Sequence, residues 1–73
     1  MAVVPKHRKI LANAIRHARK RAGYSQEKLA EKADLHPNYV GEVERAEKNI
    51  SVDALMRIAI ALKISVKELF AGL

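Results

Sequence analysis

The stretch QEKLAEKADLHPNYVGEVER, from Gln26 to Arg45, decides how this chain folds. Its apolar residues recur at intervals of three and four, which is the spacing of amphipathic helices. The positions expected to be buried are Leu29, Ala30, Ala33, Leu35, Val40 and Val43. The positions expected to face water are Gln26, Lys28, Glu31, Asn38 and Glu42. The pattern predicts two short helices joined by a tight turn, with the second helix held out by the first.

Helix signals continue on both sides of this stretch, and strand signals are absent. A first helix is expected over residues 7–22, ended by Gly23 in the left-handed conformation that glycine adopts easily. Ser25 is a good N-cap for the second helix, which is expected to end near Ala33. Asp34 suits the turn that follows, because aspartate tolerates the left-handed region better than most residues.

The third helix is expected to begin with Pro37, since the N–H that proline lacks is unpaired at the first helical position. His36 is an indifferent cap before it, and the helix is expected to end near Arg45. Ser51 and Ser65 then cap two further helices. The sequence predicts a compact all-α domain of five helices over residues 7–73, after a flexible arm of residues 1–6.

The composition excludes several classes of protein. Seventy-three residues allow one domain, and without cysteine there is no disulfide framework and no thiolate zinc site. No apolar run approaches the roughly 20 residues of a membrane span, so a soluble, cytoplasmic protein is expected. His7, His17 and His36 lack metal-ligand spacing, and there is no glycine-rich phosphate loop. We therefore expect no enzyme activity, no cofactor, no metal and no small-molecule substrate.

The net charge of +6 is unevenly distributed along the chain. Residues 1–33 carry nine Lys and Arg against two Glu, whereas residues 34–73 carry five against six acids. A basic surface of this kind is the electrostatic signature of a polyanion binder. The alternative is that Arg16, Lys20 and Arg21 form only a solvated helix face.

Four segments together resemble a known family. They are Gly23 to Ala30 (GYSQEKLA), Asn38 to Arg45 (NYVGEVER) and, further on, Lys48 to Val52 with Val66 to Phe70. From about His7 to Phe70 the chain resembles the phage repressor and Cro type of helix-turn-helix regulator. Within that family it looks most like the controller proteins of restriction-modification systems, which are small homodimers. The resemblance implies a lambda-repressor-like domain that binds double-stranded DNA as a homodimer and regulates transcription.

The resemblance also implies which residues meet the DNA bases. Pro37, Asn38 and Glu42 align with the family's base-reading positions, and His36 precedes them. Asn38 suits an adenine edge and Glu42 a cytosine amino group, although Glu42 could equally be a surface acid paired with Arg45. Since proline offers no hydrogen bond, a contact that family members make with arginine or glutamine is not expected at Pro37.

Phosphate contacts are expected at helix ends and in the loop after the third helix. The candidates are Ser25, Gln26, Tyr39, Arg45, Lys48 and Asn49. Gln26 matches the family's phosphate-gripping glutamine, whereas Tyr39 could equally belong to the core. The family usually has glycine where this chain has Ala46, so the third helix is expected to run slightly further.

Two further sets of residues are expected to support the site. The resemblance implies a buried ion pair between Arg19 and Glu44 that fixes the third helix, the alternative being direct DNA contact by Arg19. The apolar residues near the end of the chain suggest a symmetric dimer patch, with core packing as the alternative for each. They are Ile60, Ile64, Val66, Leu69, Phe70 and Leu73. An antitoxin-like or other protein-interaction module on the same fold is the alternative function.

Overall fold

The computed structural model describes residues 3–71, which form five helices and, within that range, no strand. The helices are α1 (Lys6–Arg21), α2 (Gln26–Lys32), α3 (Tyr39–Glu44), α4 (Val52–Leu62) and α5 (Val66–Leu69). The predicted all-α fold is confirmed. Because Lys6 already belongs to α1, the boundary predicted for the N-terminal arm is wrong at that residue. Met1, Ala2, Gly72 and Leu73 lie outside the described residues.

Each helix contributes one large, fully buried side chain to a single core. These side chains are Ile15, Leu29, Val40, Ile58 and Leu69. Burying an aliphatic side chain of this size contributes about 1.5–3 kcal/mol, so the core is the main source of stability. Ala30, 1% exposed, is the small residue that lets α2 approach its neighbours closely.

Three serines begin helices as the sequence predicts. The side chains of Ser25, Ser51 and Ser65 each accept a hydrogen bond from the backbone N–H three residues further on, at 3.0, 3.1 and 3.3 Å. Each hydroxyl thereby satisfies one of the N–H groups that a helix leaves unpaired at its start.

The start of α3 differs from the prediction. The helix begins at Tyr39 and not at Pro37, because residues 36–39 form a separate turn in which the Tyr39 N–H donates to the His36 carbonyl at 2.9 Å. His36 is not an indifferent cap, since its Nδ1 accepts from the Asn38 N–H at 3.1 Å. The turn displays residues 36–38 ahead of the helix.

Helices α1 to α4 all end in the same motif. In each, a residue two or three positions past the helix donates its backbone N–H to a carbonyl five positions earlier, and the residue before that donor is left-handed. The left-handed residues are Gly23, Asp34, Ala46 and Lys63, with φ of 79°, 56°, 58° and 59°. The expectation that α3 runs past Ala46 is therefore wrong: the chain accepts a left-handed alanine instead.

We expect Lys63→Gly to raise the free energy of unfolding by about 1 kcal/mol, because it relieves left-handed strain at an exposed position. Ala46→Gly should be near neutral, since it also removes a buried methyl group worth about 0.8 kcal/mol. Urea denaturation of both variants measures the difference. A Lys63→Gly variant less stable than wild type would contradict the assignment of strain.

Candidate nucleic-acid interface

The residues predicted to read bases lie in and just after the turn before α3. His36, Pro37 and Asn38 are exposed, and the Asn38 side chain makes no capping bond to the helix. Glu42, one turn into α3, is half-buried. Its nearest cation is Lys48, whose Nζ lies 3.7 Å from Oε1, whereas Arg45 makes its own close contact with Glu47.

A cleft of about 270 Å³ lies between the start of α2 and the exposed side of α3. It is lined by Gln26, Glu27, Pro37, Asn38, Gly41, Glu42 and Arg45. The structure thus brings predicted base-reading and phosphate-binding residues to one place. Sequence reasoning missed Glu27 and Gly41. The sequence signal for each is weak. Glu27 is an acid in the first turn of α2, and Gly41 is a glycine within a helix, where no turn requires it.

Arg45 directly follows α3, and Lys48 lies in the loop after it. Each is paired with a nearby carboxylate. The Nε of Arg45 lies 3.0 Å from Oε2 of Glu47, and the hydrogen bond to Glu47 raises the pKa of Arg45. Lys48 pairs with Glu42 and also lies over the Tyr39 ring, 5.3 Å from its centroid. Both cations remain at least two-fifths exposed, so their charges still face solvent.

Two other phosphate candidates have structural partners. The Tyr39 side chain is half-buried against the core, and its hydroxyl accepts from the Ser51 N–H at 3.3 Å. Tyr39 therefore ties α3 to the start of α4. The Ser25 hydroxyl is engaged as an acceptor at the start of α2, while its O–H remains a donor. Asn49 is exposed in the loop between α3 and α4.

Arg19 of α1 and Glu44 of α3 form a nearly buried, two-pronged ion pair. Arg19 Nε lies 2.6 Å from Glu44 Oε2, and Nη2 lies 3.0 Å from Oε1. The third nitrogen, Nη1, donates to the Tyr24 carbonyl at 2.7 Å. Gln26 adds a fourth bond, from Nε2 to Glu44 Oε1 at 3.1 Å. This network joins α1, the loop after it, α2 and α3.

Both partners of this pair are largely removed from water. The exposed fractions of the Arg19 and Glu44 side chains are 10% and 3%. The hydrogen bond to Glu44 raises the pKa of Arg19, so the guanidinium stays charged. Arg19 is therefore committed to holding α3, and the geometry leaves it little room for a direct DNA contact.

Positive charge is concentrated on α1. The helix carries seven Lys and Arg and no acid, and Arg19 is the one of them in an ion pair within residues 3–71. The segment of residues 36–49 carries Arg45 and Lys48 against three acids. The positive charge available for long-range attraction to a polyanion is therefore greater on α1 than on α3.

The predicted dimer patch is only partly exposed. Ile60 is 72% exposed and Phe70 37%, whereas Leu69 is 1% exposed and belongs to the core. The prediction for Leu69 is therefore wrong. Ile64 and Val66 are half-buried against the core, and Leu73 lies outside the described residues.

Two exposed apolar residues of α4 extend the patch and were missed. Val52 is 75% exposed and Met56 45%. With Ile60 they recur every four residues along α4, which places all three on one face. That spacing of four residues is visible in the sequence.

The described residues also limit other kinds of site. Within residues 3–71 no cluster of three or more His, Cys, Asp or Glu side chains could hold a metal ion. None of the helices in that range combines the length and apolar character needed to cross a bilayer.

Comparison with known proteins gives matches to helix-turn-helix regulators, in agreement with the two helices and the turn described above. The Helix-turn-helix family model matches residues 15–69. Control protein C.SmaI of Serratia marcescens is 44% identical over 62 residues, covering 85% of this chain and 74% of that protein. Control protein C.BamHI of Bacillus amyloliquefaciens is 41% identical over 49 residues, covering 67% of this chain and 60% of that protein. The crystal structure of the restriction-modification controller protein C.AhdI from Aeromonas hydrophila superposes with a TM-score of 0.84 at 38% identity, covering 86% of this chain and 96% of that one.

The chain belongs to the helix-turn-helix family of DNA-binding transcription regulators. Within it, the chain is a homologue of the restriction-modification controller proteins, as the sequence predicts. These matches do not favour the antitoxin-like alternative.

We expect Arg19→Met and Glu44→Gln each to lower the free energy of unfolding by roughly 3–5 kcal/mol, because each leaves a nearly buried charge without its partner. The double variant should cost clearly less than the two losses added together. Urea denaturation measures all three. Glu31→Gln is the control: it breaks the exposed pair with Lys28 and should cost under about 1 kcal/mol. Additive losses would show that the two side chains do not act as a pair.

Proposed function

We propose that the chain binds a pseudo-palindromic DNA operator as a homodimer and, like its homologues, controls restriction-modification genes. One observation carries the proposal: the exposed turn before α3 borders the cleft with Gln26, while the Arg19–Glu44 pair fixes α3 against the body. A helix presented in this way can enter a DNA major groove with its N-terminal residues at the base edges. Action on genomic DNA implies a cytoplasmic location.

Direct base reading is assigned to the exposed turn and the first turn of α3. Asn38 can donate to and accept from an adenine edge, and Glu42 can accept from a cytosine amino group. Pro37 offers only apolar contact, for which the thymine methyl group is the matching ligand. The His36 Nδ1 is engaged by the Asn38 backbone, which leaves Nε2 as its one ring nitrogen available to DNA.

Phosphate contacts are assigned to the groups that surround this turn. One amide N–H of Gln26 donates to Glu44, and the second is available to a phosphate. The Nε of Arg45 pairs with Glu47, and its Nη groups are available to a phosphate. The same role is proposed for Ser25, Tyr39, Lys48 and Asn49. Because the cations Arg45 and Lys48 displace counterions from the phosphates, affinity should fall as salt rises.

We expect Asn38→Ala to lose about 1–3 kcal/mol of binding at one base pair of the operator and to relax specificity there. Gln26→Ala should instead weaken all sequences alike and leave the salt slope unchanged, because its amide is uncharged. The operator is first selected from a random duplex library, and gel-shift titrations against selected and random DNA at several salt concentrations then measure both effects.

Asn13→Ala is the matched control for these titrations, since it removes an exposed asparagine from α1 and should leave binding unchanged. Equal affinity of the wild type for selected and random DNA would refute sequence-specific regulation. A sequence-selective loss in Gln26→Ala would refute its assignment to phosphate.

The homodimer is assigned to the exposed face of α4. Val52, Met56 and Ile60 form an apolar row that spans about 12 Å, with Phe70 also exposed. A monomer measuring 34 × 24 × 21 Å lets two copies side by side place their α3 helices about one DNA turn, roughly 34 Å, apart. Such a pair would read two half-sites on the same side of the duplex.

We expect Ile60→Glu to convert the protein to a monomer and to weaken operator binding, because it places a charge in the middle of the apolar row. Its folding should be unaffected, since Ile60 is 72% exposed. Sedimentation over a range of concentrations measures the change. Val3→Glu, at an 85% exposed residue before α1, is the control. A wild type that is monomeric at micromolar concentrations would refute the dimer.

A further inference from the structure

Gly41 lies inside α3, and no backbone requirement explains it. Its φ is not in the left-handed region where glycine is favoured. Apart from proline, glycine is the poorest helix former, and α3 has only six residues. The helix would therefore form more readily with another residue at this position, so the reason for glycine must lie outside the helix backbone.

Two polar side chains occupy the space that a side chain at Gly41 would need. A Cβ built on Gly41 would lie 3.0 Å from Arg45 Nη1 and 3.1 Å from Gln26 Oε1. Both distances are shorter than ordinary van der Waals contact. Gly41 is buried for this reason, although it lies on the side of α3 that lines the cleft.

Each of these side chains is also held by a carboxylate. Gln26 donates from Nε2 to Glu44, and Arg45 pairs through Nε with Glu47. The two side chains belong to opposite ends of the helix-turn-helix segment. Gln26 is the first residue of α2, and Arg45 directly follows α3. They converge over Gly41, where their remaining N–H groups border the cleft.

We propose that Gly41 is a positioning residue for DNA binding: its missing side chain lets Gln26 and Arg45 lie side by side over α3, where both donate to the backbone of one DNA strand. The inference rests on the phosphate contacts proposed above for these two residues. Gly41 itself contributes no hydrogen bond.

Gly41→Ala tests the proposal because it should move stability and affinity in opposite directions. The urea midpoint should stay the same or rise, since alanine is the better helix former and the side chains it meets are flexible. Affinity for the selected operator should fall about tenfold, the value of one charge-assisted hydrogen bond. The salt slope should become shallower by about 0.9. Random DNA should be weakened in the same proportion.

Gly23→Ala is the matched control, with the reverse expected result. Gly23 has a φ of 79° and nothing within 4 Å of a built Cβ, so alanine there meets strain but no neighbour. The urea midpoint should fall, while the folded protein should bind the operator as the wild type does.

The same titrations on Gln26→Ala and Arg45→Gln separate the two levels of the proposal. If both variants lose affinity but Gly41→Ala does not, the positioning role is overturned and the phosphate contacts stand. If neither variant loses affinity, the phosphate contacts fail, and the role of Gly41 fails with them.

A triple variant excludes a direct clash with DNA. In the Gln26→Ala/Arg45→Gln background, adding Gly41→Ala should cause no further loss, because the side chains that it displaces are gone. A persistent loss would mean that the new methyl group meets DNA itself, which would overturn the proposal.

Discussion

The ion pair between Arg19 and Glu44 is the constraint on which the rest of this site depends. It is long-range in sequence, nearly buried, and satisfied by further bonds to the Tyr24 carbonyl and Gln26. Desolvating two charges offsets much of their attraction, so the pair adds less to stability than its short distances suggest. Its main effect is geometric. Val40 and Val43 bury one side of the six-residue α3, and the pair adds a directional link that fixes its orientation relative to α1.

The distribution of charge separates attraction from recognition. Residues 36–49 are weakly acidic, because Glu42, Glu44 and Glu47 outnumber the two cations there. Helix α1, in contrast, holds seven cations and no acid. Attraction through such charges depends on salt and not on sequence, so it acts on any duplex alike. In the proposed function, discrimination between sequences falls to a few uncharged or acidic groups at the turn before α3 and in its first turn.

Local rules allowed much of the fold to be predicted from sequence. Ser25, Ser51 and Ser65 cap helices because a short hydroxyl side chain can reach back to a free N–H, and Asp34 tolerates the left-handed turn. The burial of Leu69 could not be read in the same way, since a four-residue helix is too short to define a face by periodicity.

Side-chain partners were the least predictable feature. The pairing of Glu42 with Lys48 depends on how the loop after α3 folds back, and no helical spacing encodes it. Arg19 and Glu44 are 25 residues apart, and only the family resemblance connected them. The role of Gly41 depends on two side chains meeting in space, which periodicity cannot show.

The row of Val52, Met56 and Ile60 has a consequence for dosage. In the proposed homodimer these three side chains would form a narrow seam, and a pairing of this size would dissociate readily when the protein is scarce. At low abundance the amount of paired regulator then grows with the square of the number of chains present. A gene under such control would stay silent through early synthesis and respond over a short interval afterwards, so that the delay is set by the strength of the seam.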